Sequence, residues 1–332
     1  KIQDEVNSDA FQEFWSAKAA GGVYNGTYIY MERKSDKNGY MLYDVQIATE
    51  EPSAVIEGAT KVRDIIADTT NNKFLYDDYT VRPSSFNLTL KAGSAAGSLG
   101  VTGAFQGYGN ASSAGTAGSS SVLYVNMNSH GALNNQSSAY YSAFHSVNSK
   151  KGGSGGFFNE YNPNAGTGIE KSPTELYAYG IIKRDHFGLQ FAKMLPEYNP
   201  DSKNAVSGGS MGGFRSVLAA AFDSSIKTIN ASYTWMGSIG GLETDKIAGH
   251  FMPAHSIGMQ YFSTVHAAAT LGKDVTLNLL ACGLGDYTSP PVGLVAAYNA
   301  ATCNKSIELR QYREHGTTRT ANHFDMRRQE FA

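Results

Sequence analysis

The sequence predicts an α/β fold, a mostly parallel, twisted sheet with helices on both faces and a small N-terminal α+β extension. Three observations lead there. From residue 121 onward, short apolar strands alternate with helical periodicities, the pattern of parallel strands joined by crossover helices. One strand–helix junction carries Gly208-Gly209-Ser210-Met211-Gly212, whose glycines call for a tight turn. At 332 residues and 41% hydrophobic, the chain can bury a substantial core in one large domain with a small companion. The boundary is placed at 80/81, with 1–80 as the N-terminal extension or accessory region and 81–332 as the main domain.

In chain order, Ser8 or Asp9 can cap a helix in which Phe11, Phe14, Trp15 and the stem of Lys18 fall at helical spacing. Gly21-Gly22 ends it, and a β segment follows over Val23–Tyr30. This opening resembles the start of phage tailspikes and pectate-lyase-like proteins; an ordinary capped helix and hairpin is the plainer reading. A short helix around 61–67 and a β stretch near 79–90 come next. Residues 92–121 are nearly all Gly, Ala and Ser, with alternation over 100–106 that suggests one strand among surface loops. Phe105 and Tyr108 are too apolar for a free linker.

The alternating region starts with a strand at 121–127. Leu176, Ile181, Phe187, Phe191 and Leu195 give helical spacing over 172–195, stopped by Pro196. A strand at 204–207 leads into the glycine turn, a helix covers 214–222 and a strand 226–233. A buried strand at 275–282, a helix at 292–301 and a strand at 307–312 complete the pattern. Residues 150–171, rich in Gly, Asn and Pro, look like an inserted loop.

Composition removes several function classes. Lysine plus arginine number 27 against 29 acidic residues, a net charge of −2, without the basic footprint of a nucleic-acid binder. No uncharged apolar run approaches the ~18 residues of a membrane-spanning helix. Charged residues are 17%, below the roughly 25% of an average domain. The polar surface therefore falls to Ser, Asn, Thr and Gly, as in extracellular and virion proteins. Two cysteines, Cys282 and Cys303, exclude a disulfide framework and a Cys-rich zinc site; one bridge between them stays open, although Cys282 reads as a buried strand residue. Without an H-E-x-x-H or comparable spacing, neither a metal nor a cofactor is expected.

The chemistry converges on Ser210. A G-x-S-x-G between strand and helix forces the serine into a strained conformation and lifts its hydroxyl clear of the sheet, toward a helix N-terminus. A phosphate loop is disfavoured because no G-K-[S/T] follows. A serine nucleophile needs a base, and the base needs an orienting carboxylate. Asp286 lies just past a buried strand, where such carboxylates sit in open sheets; capping its own turn is its alternative role. Two histidines follow the last strand, His315 almost at once and His323 at the start of a final helix. The need for a loop to bring an imidazole back to the turn favours His323. The other six histidines, His130 among them, read as structural or substrate-facing. The oxyanion requires two N–H donors. Met211 supplies one, and the loop after 122–127 should supply the other, with Ala132 first and Gly131 next.

The stretches around Ser129-His130-Gly131, Gly208–Gly213, Gly283-Leu284-Gly285-Asp286 and Asn322-His323-Phe324-Asp325 together resemble the α/β-hydrolase superfamily. Within it they are most similar to the carbohydrate esterase branch of acetyl xylan and feruloyl esterases, over roughly residues 80–332. The resemblance implies ester hydrolysis through an acyl-enzyme, with Ser210 as nucleophile, His323 as base and then acid, and Asp286 as its orienter. It also implies an acylated polysaccharide substrate, with His130 as a substrate contact. In the inserted loop Phe157 and Tyr161 are candidates to stack on sugar rings, with local packing as the plainer reading, and the charge balance and lack of a long apolar run point to no nucleic-acid or membrane partner. Asn126, Asn128 and Ser129 depart from the apolar run that usually enters the H-G pair, so the second oxyanion donor stays open between Ala132 and Gly131. With the tailspike-like start, the expectation is a secreted or virion-tail enzyme that removes O-acetyl groups, homo-oligomeric if it forms part of a tail fibre. A feruloyl-type aromatic esterase and a non-catalytic polysaccharide-binding scaffold are the alternatives.

Overall fold

A computed structural model describes residues 28–48, 84–108, 121–132, 134, 172–237, 257–311 and 313–316. Nine strands run through these segments: β1 (Tyr28–Lys37), β2 (Tyr40–Ala48), β3 (Ser84–Lys91), β4 (Gly100–Phe105), β5 (Val122–Met127), β6 (Asn204–Gly209), β7 (Ile226–Ser232), β8 (Thr276–Gly283) and β9 (Asn304–Arg310). They form one sheet in the order β1-β2-β3-β5-β4-β6-β7-β8-β9. The first four positions pair antiparallel, and every pair from β5 to β9 is parallel.

The helices are α1 (Tyr177–Lys193), α2 (Met211–Phe222), α3 (Ile257–Gln260), α4 (Thr264–Thr270) and α5 (Pro291–Ala300). α1 lies against β3, β4 and β5, and α2 against β4, β6 and β7; α1, α2, α4 and α5 touch in succession as a row. Burial explains their composition. In α2 every residue but Ala221 is buried, so an apolar, small-residue sequence is what this position accepts. In α1, Ile181, Phe187, Leu189 and Phe191 turn inward, and the Phe191 ring meets Phe86 of β3 edge-on at 5.9 Å. None of the described helices is long and apolar enough to cross a membrane.

Two differences from the sequence reading bear on the site. First, β1 and β2 belong to the same sheet as the rest: β2 pairs with β3 from Tyr40–Lys91 to Ile47–Ser84, and Val45 and Ile47 are core residues. The residues from 28 to 48 are thus continuous with the main sheet. The helices expected near 10–20 and 61–67, and most of the tailspike-like opening, lie outside the described residues. Second, the strand that borders the glycine turn is β4 and not β5. β4 lies between β5 and β6, with Phe105 in register with Gly208 on one side and Met127 on the other. Periodicity identifies strands but carries no information on which strands are neighbours, and here the order is exchanged relative to the chain.

Cys282 and Cys303 are both free and buried, so the bridge left open by the sequence is absent. Burial, with Glu308 and Asp286 nearby, pushes the Cys282 thiol up to about 12. α3 and α4 had no sequence expectation. They are short, and the one local signal is Ser263, whose side chain accepts the Val265 N–H at 3.2 Å as the cap of α4.

Candidate active site

The turn between β6 and α2 holds Ser210 at φ 57°, ψ −120°, a left-handed conformation that L-residues avoid. Backbone contacts fix it there: the Ser210 N–H donates to the Ser232 carbonyl at 2.9 Å, and its own carbonyl accepts from Phe214 and Trp235, each at 3.1 Å. Its glycines are spatially required. A Cβ on Gly208 would stand 2.7 Å from the Phe105 carbonyl oxygen, and one on Gly212 would lie 2.9 Å from the Phe105 carbonyl carbon, closer than side chains tolerate. β4 therefore runs so near the turn that only glycine fits.

The Ser210 hydroxyl lies 2.7 Å from Nε2 of His315, whose Nδ1 lies 2.9 Å from Oδ2 of Asp286. A carboxylate only accepts, so Nδ1 carries the proton and Nε2 is left to accept from the serine hydroxyl. The other carboxylate oxygen of Asp286 accepts the Thr288 and Ser289 N–H groups at 2.9 and 2.8 Å. The two roles weighed for Asp286, orienting a histidine and capping its turn, are both filled, one by each oxygen. The Tyr233 ring stands edge-on to His315, 5.2 Å between centroids, and also occupies the space a Gly209 side chain would need.

The imidazole that meets Ser210 is His315 rather than His323, which lies outside the described residues. A long return loop is unnecessary because the chain folds back over the end of β8 as soon as β9 ends. Leu284 donates to the Arg310 carbonyl at 3.0 Å and Gly285 to the Arg313 carbonyl at 3.1 Å, which sets His315 beside Asp286. A bulge in β8 helps aim that strand end: its register with β9 shifts between Leu279 and Cys282, Ala281 sits at φ 53°, and its N–H donates to Oε2 of Glu308 at 2.9 Å.

Two further expectations are corrected or displaced. His130 has no solvent exposure, and its ring nitrogens meet the Tyr177 hydroxyl and the Tyr108 carbonyl, so it is not a substrate contact. The Ala132 N–H is turned toward the Ser129 carbonyl at 3.4 Å, and its loop follows β5, one strand removed from β6. Phe157 and Tyr161 lie outside the described residues. Met211 is the first residue of α2, directly after the serine.

The segment beside the turn is instead Gln106-Gly107-Tyr108, at the end of β4. A Cβ on Gly107 would lie 3.5 Å from the Gly209 carbonyl oxygen. This segment and Arg215 were missed from sequence. The available signals were a glycine just past a predicted strand and one arginine inside an otherwise apolar helix. Arg215 is fully buried. Its Nη1 donates to the Gln106 carbonyl and its Nη2 to the Asn128 carbonyl, each at 2.9 Å, and it pairs with Asp185 of α1. Burial pushes the Asp185 carboxyl above the ordinary range, against the pull of Arg215. Among the described residues, no group of three or more His, Cys, Asp or Glu side chains could hold a metal ion.

Two solved structures resemble this chain over nearly its whole length. One is an acetyl xylan esterase from Paenibacillus sp. R4, with 16% identity, 99% of this chain and 96% of the other covered, and a TM-score of 0.61. The other is acetyl xylan esterase 1 from Thermoanaerobacterium sp. JW/SL YS485, with 14% identity, 98% and 96% covered, and a TM-score of 0.60. The chain has an α/β-hydrolase fold. Within that α/β-hydrolase fold, residues 256–331 match the family model of acetyl xylan esterase (AXE1), a stretch that includes Asp286 and His315. A search of curated proteins found no match.

Proposed function

We propose that this chain is a serine carboxylesterase that removes O-acetyl groups from a polysaccharide. The observation that carries the reading is the Ser210–His315–Asp286 hydrogen-bond chain on a strained strand–helix turn. The acetyl group and the xylan-like substrate are supported by the AXE1 match over 256–331.

In this reading, His315 Nε2 takes the Ser210 proton as Oγ attacks the ester carbonyl carbon. The carbonyl oxygen becomes an oxyanion held by the Met211 N–H and by an amide of Gly107–Tyr108, the loop of the strand next to the nucleophile. His315 then returns the proton to the sugar oxygen as the C–O bond breaks, leaving an acetyl-enzyme. Water, deprotonated by His315, attacks that ester; acetate leaves and Ser210 regains its proton. Asp286 keeps the imidazole in the required tautomer throughout and stabilises its transient positive charge. An extracellular or virion-tail location belongs to the same reading and rests on the N-terminal resemblance and the polar, weakly charged composition.

The test is hydrolysis of 4-nitrophenyl acetate, acetylated xylan and methyl ferulate by the wild-type chain and Ser210→Ala. Serine-dependent release of acetate, with little action on ferulate, is the expected result. Action on ferulate alone would transfer the reading to aromatic esters. Hydrolysis unaffected by Ser210→Ala would overturn it.

A further inference from the structure

Next to the serine site lies a set of buried contacts that the chemistry above leaves unused. His130 stands at φ 58° with no solvent exposure. Its Nε2 lies 2.7 Å from the Tyr108 carbonyl oxygen, and its Nδ1 meets the Tyr177 hydroxyl. A carbonyl only accepts, so Nε2 carries the proton and Nδ1 accepts from Tyr177. Tyr177 opens α1, with the Arg184 guanidinium 5.5 Å from its ring centroid. The Tyr108 ring stands edge-on to the imidazole at 4.8 Å. The imidazole is thus held at both nitrogens and along one edge.

Two residues before Tyr108, the Gln106 carbonyl is held by Arg215 Nη1 at 2.9 Å. Peptide units are rigid planes, and the structure contains no cis bond among the described residues. Pinning the Gln106 and Tyr108 carbonyls therefore fixes the planes on either side of the Gly107–Tyr108 peptide. The Gly107 N–H is set directly, being trans to the Gln106 carbonyl, and the Tyr108 N–H is confined between the two fixed planes. The His130 contact holds the Tyr108 end of the segment as the Arg215 contact holds the Gln106 end.

We propose that His130, oriented by Tyr177, is a positioning residue that holds the Gly107–Tyr108 amides at the oxyanion. The proposal rests on the esterase reading above. It explains why a histidine occupies a left-handed position with no access to substrate: its task is to place a backbone carbonyl and, through it, the neighbouring N–H groups. Preorganised donors act on the developing charge and leave substrate binding almost untouched.

Three variants test it. His130→Asn tolerates the left-handed backbone but is too short to reach Tyr108. His130→Gln places an amide donor near the position of Nε2, and Tyr177→Phe removes only the hydroxyl that orients the ring. Rates on 4-nitrophenyl acetate are taken per serine labelled by a fluorophosphonate, so loss of folded protein does not count. Affinity for a trifluoromethyl ketone, whose hemiketal oxygen takes the oxyanion position, is measured alongside. The expected result for His130→Asn is a fall in kcat of about 30-fold with KM within about twofold, and trifluoromethyl ketone binding weakened by the same factor as kcat. His130→Gln should recover most of that loss, and Tyr177→Phe should lose about threefold in both quantities. If His130→Asn does not fold, Tyr177→Phe decides by the same two readouts. Unchanged kcat and inhibitor affinity per labelled serine, with Ser210-dependent hydrolysis intact in the wild type, would overturn the positioning role alone. Wild-type hydrolysis that does not depend on Ser210 would overturn the esterase reading and this proposal with it.

Discussion

Asp185 receives two hydrogen bonds from Arg215, 2.8 Å from Nε and 2.5 Å from Nη2, and both side chains are shut away from solvent. The pair joins α1 to α2, while the remaining Arg215 donor capacity goes to the carbonyls at the ends of β4 and β5. A buried pair of this kind contributes little net stability, but breaking it strands a charge in the core. Asp185→Ala should cost about 3–5 kcal/mol of stability in urea titrations. The double variant Asp185→Leu/Arg215→Met should recover most of that loss, yet keep a low kcat, because the Gln106 carbonyl loses its donor. Full recovery of both would show that Arg215 serves packing alone.

His315 and His323 separate cleanly by substitution. His315→Ala should lower kcat by about 10³-fold or more with little change in melting temperature, whereas His323→Ala should retain activity. The reverse pattern would displace His315 as the base. Asp286→Asn should also fall by orders of magnitude, since an amide can donate to Nδ1 and select the wrong tautomer.

Gly212→Ala adds a single methyl group against the Phe105 carbonyl. Either the turn or the end of β4 must move, at a cost of about 1–3 kcal/mol. Because β4 leads into Gln106–Tyr108, kcat should fall with stability, and thermal melts alongside steady-state rates would detect both. A variant of wild-type activity would mean that β4 yields without disturbing the Gly107–Tyr108 amides.

At the opposite end of β6, Asp223 caps α2 and binds Lys193 and Ser225. Burial alone would raise its carboxyl, but Lys193 and then Ser225 outweigh it and hold the group below its usual value. A carboxyl depressed in the folded state stabilises above its unfolded pKa, near ~4, and loses that contribution as pH falls through the folded value. Asp223→Asn should therefore cost about 2 kcal/mol at pH 7. The gap to wild type should narrow as the pH drops below ~4 in urea titrations across pH. A gap independent of pH would assign the loss to capping geometry instead of charge.

Much of this architecture was legible in the sequence. The strands at 122–127, 204–209, 226–232 and 276–283 lie within two residues of their expected spans, because buried parallel strands are written as short apolar runs. Ser210 and Asp286, which His315 links in the structure, are legible for the same reason: each sits just past a recognisable strand. What the sequence concealed was adjacency. The exchange of β4 and β5 puts Gln106-Gly107-Tyr108, and not the loop that carries Ala132, beside the serine turn, and no residue pattern encodes which strand inserts between two others. His315 was passed over on an assumption about loop length that the Arg310 and Arg313 carbonyls remove by tying the chain to the end of β8. For His130 the sequence leaves a structural and a substrate-facing role open, and the contacts of its ring with Tyr108 and Tyr177 decide for the structural one.

His315 lies just beyond β9, an edge strand among the described residues with three of its seven residues exposed, whereas Ser210 follows a strand in the interior of the sheet. Local opening at sparsely packed, solvent-facing segments takes less free energy than global unfolding, and an edge strand is held by a neighbour on one side only. Fraying of β9 would withdraw the imidazole while the serine, its helix and the aromatic core remain in place. In the proposed reading, catalytic competence therefore hangs on one margin of the sheet, and warming should silence the protein before it melts.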